Sequence, residues 1–152
     1  MPEFPFGSIV PFPRDEVFAY LADPRNWPAL QPEIEAIDDL DGWDKPGGRC
    51  VLRLRGGRTQ HHELLDFDQP RLLREVARSD GLPEIEHERV FAELADGTWL
   101  QNYARYEPRR GFVGLFDRTL LAWLLRRRFQ RLWAVAAGRL TDELAARHRP
   151  TR

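Results

Sequence analysis

The chain has 152 residues, a length typical of one folded domain, and its hydrophobic fraction of 42% excludes an intrinsically disordered protein. Cys50 is the single cysteine, which excludes an internal disulfide and a zinc site built from several thiolates. The net charge is −1, and the most apolar stretch, residues 112–125, contains Asp117 and Arg118 and is therefore too charged and too short to span a bilayer.

The small net charge conceals an uneven distribution of charge along the chain. Residues 109–152 contain eleven arginines and three acidic residues, whereas residues 1–108 are net acidic. A basic end of this kind is able to meet nucleic acid or an anionic membrane, but attraction between the two parts and solvation of one helix face are sufficient to explain it. We expect no nucleic-acid partner, and peripheral membrane contact through the basic C-terminal helix stays an alternative.

The N-terminal part of the chain predicts one strand followed by two short helices. Residues 3–12 fit a strand, and the prolines among them favour a position at the edge of a sheet. A helix is predicted from Pro13 to about Ala22, because proline suits the first turn and apolar residues then recur at helical spacing. Residues 24–30 fit a second short helix. The first residues lack the basic segment of a secretory signal, so we expect a cytoplasmic protein.

A series of strand-like runs follows, and short turn signals separate them. The predicted strands are residues 34–40, 49–55, 59–67, 72–79, 85–94 and 98–107. The dipeptides at 56–57, 80–81 and 96–97 contain glycine and are typical of tight turns. Alternation within each run indicates an antiparallel meander with one buried face, on which we expect Leu52 and Leu54.

Residues 115–146 predict one long amphipathic helix. Its apolar face recurs with the helical period and consists of Leu121, Leu125, Phe129, Leu132, Ala136 and Leu140. A sheet with one apolar face has to be covered, and this helix is the only predicted element long enough to cover it. Because a twisted sheet curls, a helix across its inner side leaves a gap that either side chains or a ligand fill. We therefore predict an α+β ligand-binding domain over residues 1–148 and a disordered tail over residues 149–152.

Three parts of the sequence resemble one known superfamily. They are Ile9-Val10-Pro11 with residues 16–24 and Trp27-Pro28, then Pro46-Gly47-Gly48, and finally residues 111–117 running into the arginine-rich helix. These residues are similar to the START-like, or SRPBCC, helix-grip superfamily of the polyketide cyclase/dehydrase and coenzyme Q-binding type. The resemblance implies a curved antiparallel sheet of about six to seven strands wrapped around a long C-terminal helix, with two short helices after the first strand. It leaves the function open, because members carry lipids, bind hormones or catalyse aromatic cyclisation.

No strong catalytic motif is present, since the sequence lacks a P-loop, a G-x-S-x-G elbow, an H-E-x-x-H pair and a dinucleotide fingerprint. His61 and His62 are neighbours on a predicted strand and point to opposite faces. His61 shares its face with Glu63, and a cavity containing both of them and His87 would supply imidazoles for proton transfer or a His₂Glu metal site. Exposure of these residues is the simpler interpretation, and we expect neither a metal nor a cofactor.

Polar residues on the inner face of the last strand are candidates for ligand contact. Asn102 and Tyr106 share that face and are able to hydrogen-bond a ligand, or alternatively each other or buried water. Among the tryptophans, Trp27 is favoured because its region resembles the mouth of the superfamily's cavity. The candidate cavity residues are Trp27, Leu52, Leu54, His61, Glu63, His87, Arg89, Leu100, Asn102, Tyr106, Leu125 and Phe129.

We predict a binding protein for an apolar or amphipathic small molecule such as a lipid, a quinone or a polyketide-like compound, and we prefer a non-catalytic role. One alternative is a cyclase or dehydratase in which Tyr106 or Arg89 polarises a carbonyl and a histidine moves the proton. Another alternative is a protein-interaction module with a filled cavity. The apolar width of the last helix also leaves a homodimer open.

Overall fold

Seven strands form one antiparallel sheet in the computed structural model, which describes residues 1–150. The strands are β1 (Glu3–Val10), β2 (Ile34–Asp41), β3 (Arg49–Leu54), β4 (Thr59–Asp68), β5 (Leu72–Arg78), β6 (Ile85–Leu94) and β7 (Gly97–Tyr106). Their order in the sheet is β1-β7-β6-β5-β4-β3-β2, so β2 to β7 form a continuous meander and β1 pairs with β7 at one edge. The edge position predicted for β1 from its prolines is confirmed, because a proline nitrogen has no proton for a second neighbouring strand.

The helices precede β2 and follow β7. They are α1 (Arg14–Leu21), a 3₁₀ turn (Pro24–Asn26), α2 (Trp27–Leu30), α3 (Phe112–Phe116), a π-helical segment (Asp117–Leu121) and α4 (Ala122–Arg147). The last three are continuous and form the predicted C-terminal helix. This helix begins at Phe112 instead of residue 115, because Gly111 adopts a left-handed backbone conformation with φ of 78° that ends the preceding extended segment.

The C-terminal end of the helix lies close to its predicted position. α4 runs to Arg147, and His148 follows as its C-cap. Residues 151–152, which belong to the tail predicted at 149–152, lie outside the described residues. Within residues 1–150, no helix combines the length and the apolarity that crossing a bilayer requires.

The C-terminal helix packs on one face of the sheet and completes the core. One cluster of buried side chains joins the C-terminal half of α4 to α1, α2 and the middle strands, with Phe18, Leu64 and Leu140 among its members. A smaller cluster joins the start of α4 to β1, β6 and β7 and includes Phe4 and Leu125. Each Å² of apolar surface that these clusters remove from water stabilises the fold by about 25 cal/mol. The predicted α+β helix-grip fold is therefore confirmed.

A bulge in β4 reverses the alternation of its side chains partway along the strand. The register of β4 against β5 shifts between Leu64 and Asp66. As a result, Leu64 and Phe67 both pack in the core although they are three residues apart. Phe67 meets Phe18 edge-on, with 5.4 Å between the ring centroids. Strict alternation counted back from Phe67 would place Leu64 on the outer face, but the bulge places it on the inner face.

Candidate functional site

A cavity of about 430 Å³ lies between the inner face of the sheet and α4. This volume exceeds the roughly 300 Å³ at which pockets for small molecules begin. Half of the residues that line it are apolar, and they include members of both core clusters. The apolar lining consists of Phe6, Leu21, Trp27, Leu30, Ile34, Leu52, Leu54, Leu82, Ile85, Ala104, Leu125, Phe129, Leu132, Trp133 and Ala136. Such a wall suits the apolar body of a small molecule.

One part of the wall is polar, because adjacent strands direct polar side chains to the inner face at the same level. Glu75 of β5 lies opposite His87 of β6, and Arg89 of β6 lies opposite Asn102 of β7. His62 of β4 joins them on the cavity wall. We call these five residues the polar cluster. The meander topology brings them together, since consecutive strands of the chain are neighbours in the sheet.

Glu75 is the centre of the polar cluster and is only 2% exposed. Its Oε1 lies 3.0 Å from Nη1 of Arg89, and its Oε2 lies 3.7 Å from Nδ1 of His62. Neither contact has hydrogen-bond geometry, so both carboxylate oxygens, Nδ1 of His62 and Nδ2 of Asn102 have no hydrogen-bond partner among residues 1–150. Because buried polar groups are ordinarily satisfied, these four atoms mark where a polar ligand group would bind.

Two sets of contacts hold the polar cluster in place. Nε2 of His62 donates to Oε1 of Gln60 at 2.9 Å, and Nε2 of Gln60 donates to Oγ of Ser79 at 3.0 Å. On the other side, the indole N–H of Trp27 donates to a backbone carbonyl of α1 at 2.9 Å. The guanidinium of Arg89 lies over the Trp27 ring, 5.4 Å from its centroid. The orientations of His62 and Arg89 are therefore fixed by neighbours on the wall itself.

Burial and charge determine the protonation states in the cluster. Burial is the largest single influence on Glu75 and raises its pKa. The charge of Arg89, followed by the contribution of His62, lowers the pKa by more in total, so the pKa of Glu75 lies well below its usual range. Burial lowers the pKa of His87 to about 4, although Glu75 opposes this shift. At neutral pH the cluster thus contains a carboxylate, a guanidinium and a neutral His87. Burial, followed by the charge of Glu75, raises the pKa of Cys50 to about 12, so this thiol is no nucleophile.

Exposed members of the lining mark the mouth of the cavity. They come from the β3–β4 turn at residues 57–59, from the β5–β6 turn at Asp80 and Leu82, and from α4. Across this mouth, Nη2 of Arg128 on α4 lies 2.8 Å from Oε2 of Glu33, which precedes β2. Both side chains are nearly half exposed, so this ion pair contributes at most about 1 kcal/mol to stability.

Eight of the twelve predicted residues lie on the cavity wall. They are Trp27, Leu52, Leu54, His87, Arg89, Asn102, Leu125 and Phe129. Leu100 and Tyr106 occupy the expected inner face but pack in the core beyond the cavity. The Tyr106 hydroxyl donates to the backbone carbonyl of Asp117, where the sheet meets the helix. The prediction that Tyr106 reaches a ligand is therefore wrong, because its polar group is already engaged.

His61 and Glu63 lie on the outer face of β4, so the prediction that they line the cavity is wrong. His61 is exposed, and Oε2 of Glu63 accepts a hydrogen bond from Nη1 of Arg78 at 2.9 Å. The bulge is the cause. Strict alternation would place His61 and Glu63 on the same face as Phe67, but the bulge lies between them and Phe67, so Phe67 faces inward and they face outward. A His₂Glu metal site with His87 cannot form, and within residues 1–150 no three His, Cys, Asp or Glu side chains are grouped to hold a metal ion.

Sequence reasoning missed the two residues at the heart of the polar cluster, His62 and Glu75. A signal for Glu75 was present, because alternation places it on one face of β5 with the buried Leu73 and Ala77. A signal for His62 was present as well, since the β3–β4 hairpin pairs it with the inward-facing Cys50. Alternation within β5 would have predicted Glu75, and the pairing of β4 with β3 would have predicted His62.

One comparison with known proteins identifies a family, and another identifies the fold. The sequence matches the model of the family described as polyketide cyclase/dehydrase and lipid transport over residues 8–141. No curated protein has a significantly similar sequence.

Solved structures share the architecture at low sequence identity. DynU16, a protein in the dynemicin biosynthetic locus, is 19% identical with a TM-score of 0.69, and the match covers 95% of this chain and 48% of DynU16. This chain thus spans about half the length of that protein. MLL2253 from Mesorhizobium loti is 11% identical with a TM-score of 0.71, covering 97% of this chain and 99% of MLL2253. Ara h 8.0201 is 16% identical with a TM-score of 0.68, covering 92% and 97% of the two chains. At these identities the likeness concerns the fold alone.

Proposed function

We propose, because this chain belongs to the polyketide cyclase/dehydrase and lipid transport family, that its cavity binds an amphipathic small molecule, lipid-like or polyketide-like. One observation carries the proposal. The cavity of about 430 Å³ is lined by apolar side chains over about half of its residues and has, at one place, four buried polar atoms without hydrogen-bond partners among the described residues. An apolar body with a polar end matches both parts of this surface.

The apolar walls supply the affinity in this proposal. Each 100 Å² or so of apolar ligand surface that leaves water contributes about 2.5 kcal/mol. The walls are formed by side chains of the sheet and of α4, such as Leu52 and Phe129, which the folded chain already holds in place. A ligand therefore meets a preformed surface, and little ordering of the protein opposes binding.

The polar cluster supplies the orientation. Both Glu75 oxygens are acceptors, so they favour a ligand hydroxyl or amine that donates, and Nδ2 of Asn102 is a donor that favours a ligand carbonyl. The charges of Glu75 and Arg89 compensate each other, and His87 is neutral at pH 7. A neutral ligand with a hydroxyl close to a carbonyl therefore fits this wall better than an ion does.

A second function, catalysis of cyclisation or dehydration, is favoured by the convergence of Arg89 and His87 on one cavity. Arg89 would donate to a substrate carbonyl and make the adjacent C–H more acidic, while the neutral imidazole of His87 would accept that proton. Glu75 stays ionised and holds Arg89 in position. Turnover that His87→Asn removes without loss of binding would distinguish this enzyme from a carrier. A protein-interaction module with a filled cavity finds no support, because the space is open.

Binding is tested with a matched pair of probes, a dihydroxyanthraquinone and anthracene, which share three fused rings and differ in their polar groups. We expect the dihydroxyanthraquinone to bind more tightly in a fluorescence titration and Asn102→Ala to weaken it about fivefold, the equivalent of one hydrogen bond. His61→Ala, a change on the outer face of the sheet, is the matched control and should bind like the unaltered chain. Native mass spectrometry of the purified protein would then identify a ligand that copurifies.

Two outcomes would contradict the proposal. Absence of binding for both probes, with no copurified ligand, would rule out a small-molecule role for the cavity. Equal weakening by Asn102→Ala and His61→Ala would show that binding occurs away from the polar cluster.

A further inference from the structure

The helical segment that leads into α4 exposes seven large apolar side chains. Between residues 112 and 124 they are 43% to 89% exposed, although a folded chain ordinarily turns such side chains inward. We call them the apolar patch. Its members are Phe112, Val113, Leu115, Phe116, Leu120, Trp123 and Leu124.

The apolar patch lies on a segment that is firmly attached to the rest of the protein. Gly114, Asp117 and Leu121 recur at helical spacing and are buried, so they form the attached side. The carboxylate of Asp117 accepts hydrogen bonds from the backbone N–H of Arg109 at 2.8 Å and from its guanidinium at 2.8 and 2.9 Å. The patch is thus the outward side of an anchored helix, and its exposure does not arise from fraying.

The exposed charges of the helical segment itself have one sign. Arg110, Arg118, Arg126, Arg127 and Arg131 are exposed in the same stretch of chain. Arg127 lies over the ring of Trp123, 4.9 Å from its centroid, so the cation and the apolar surface are in direct contact. The single acidic residue between positions 109 and 131 is Asp117, which is buried and paired with Arg109. The helical segment itself therefore presents apolar and cationic groups and no exposed carboxylate between positions 109 and 131.

We propose that the apolar patch and its arginines dock this protein on an anionic phospholipid surface. Phenyl, indole and leucyl side chains enter the interface between headgroups and acyl chains, while arginines meet phosphate and carboxylate headgroups. A second copy of the chain fits less well, because a symmetric contact would bring the arginines of both copies together and the segment has no exposed acid of its own to compensate them. The exposure of these side chains and their charge do not depend on what the cavity holds.

Docking in this orientation brings the cavity mouth towards the lipid. The helix that carries the patch continues without interruption into Leu125, Arg128 and Phe129, which line the cavity. A molecule leaving the membrane would meet the mouth within one or two helical turns of the docking surface. The membrane thus becomes the expected source or destination of an amphipathic ligand.

The test is co-sedimentation of the full chain with vesicles of phosphatidylcholine alone or with about one-third phosphatidylserine. We expect binding to the anionic vesicles only, and Arg126→Gln/Arg127→Gln should lower the partition coefficient more than tenfold, at about fivefold for each arginine. Arg49→Gln/Arg149→Gln removes the same charge at exposed positions outside the patch and is the matched control. Phe112→Ser, at the most exposed member of the patch, should also weaken binding without affecting the fold.

Several results would overturn the proposal. Equal binding to neutral and anionic vesicles, or no binding to either, would remove the role of the arginines. An equal loss in the control variant would show that net charge alone matters. Dimerisation in lipid-free analytical ultracentrifugation that Phe112→Ser abolishes would assign the apolar patch to a second copy of the chain.

Discussion

His87, which lines the cavity, makes the stability of this protein depend on pH in a defined window. The folded chain lowers the pKa of His87 from 6.5 to about 4. Between these values the unfolded chain binds more protons than the folded one, so stability falls as the pH decreases. Protonation of His87 therefore lowers the free energy of unfolding by about 2.5 kcal/mol between neutral pH and pH 4.5. This value follows from the titration of the imidazole with a pKa of 6.5 in the unfolded chain and about 4 in the folded chain.

The measurement is urea unfolding at pH 7.0 and 4.5. The unaltered chain should lose about 2.5 kcal/mol more than His87→Asn, which replaces the imidazole with a polar group that does not titrate. Glu75 acts in the same direction, since its pKa is lowered too, and its contribution is lost as the pH falls through its unfolded value of 4.5. Because Glu75 is present in both proteins, the difference between the unaltered chain and His87→Asn reports on His87. His61→Asn is the control, because an exposed side chain has similar surroundings in both states.

Equal acid sensitivity in the unaltered chain and in His87→Asn would refute this reasoning, because it would mean that His87 is solvated or already charged in the folded state. The imidazole carbon resonances provide a second readout. They should titrate with a midpoint near pH 4 for His87, and a midpoint near 6.5 would contradict its burial.

Three further substitutions test the core and the polar cluster by chemical unfolding. Glu75→Gln should lower the free energy of unfolding by about 3 kcal/mol or more, because it leaves the charge of Arg89 uncompensated inside the protein. Glu63→Gln, at a partly exposed ion pair, should lower it by less than about 1 kcal/mol. Similar losses in both variants would contradict the placement of Glu75. Gly138→Ala should stabilise by about 1 kcal/mol, since an added Cβ meets no atom within 4 Å and the helix gains a better former; a loss would indicate a hidden contact. Leu140→Ala should cost about 2 to 5 kcal/mol because the side chain is fully buried, and Val135→Ala, at 51% exposure, should be nearly neutral.

Most of the fold could be predicted from local patterns in the sequence. The strand at the edge followed from its prolines, and the meander followed from glycine-containing turns at regular intervals. The long helix was predicted from its apolar period, with an error at its start. Gly111 takes a left-handed conformation there, and the helix begins directly after it, which the apolar period alone does not show.

The site was harder to predict because each inward residue depends on strand parity. On β7 the parity was right, and Asn102 lies on the cavity wall as expected. On β4 one bulge was enough to exchange His61 for His62. Glu75 was overlooked since a charged residue between apolar ones is normally assigned to solvent. Its inward position becomes favourable only through Arg89 on the next strand, a contact between residues fourteen positions apart that no local pattern shows.

The pairing of β1 with β7 separates the order of synthesis from the order of assembly. Glu3 pairs with Arg105 and Val10 with Thr98, and Ser8 is held by a hydrogen bond of 3.0 Å from the indole of Trp133. On the ribosome, β1 emerges long before either partner exists. β1 remains unpaired until β7 and α4 have been synthesised, because its hydrogen-bond partners belong to these two elements. β1 is thus made before the meander and reaches its place in the sheet after it.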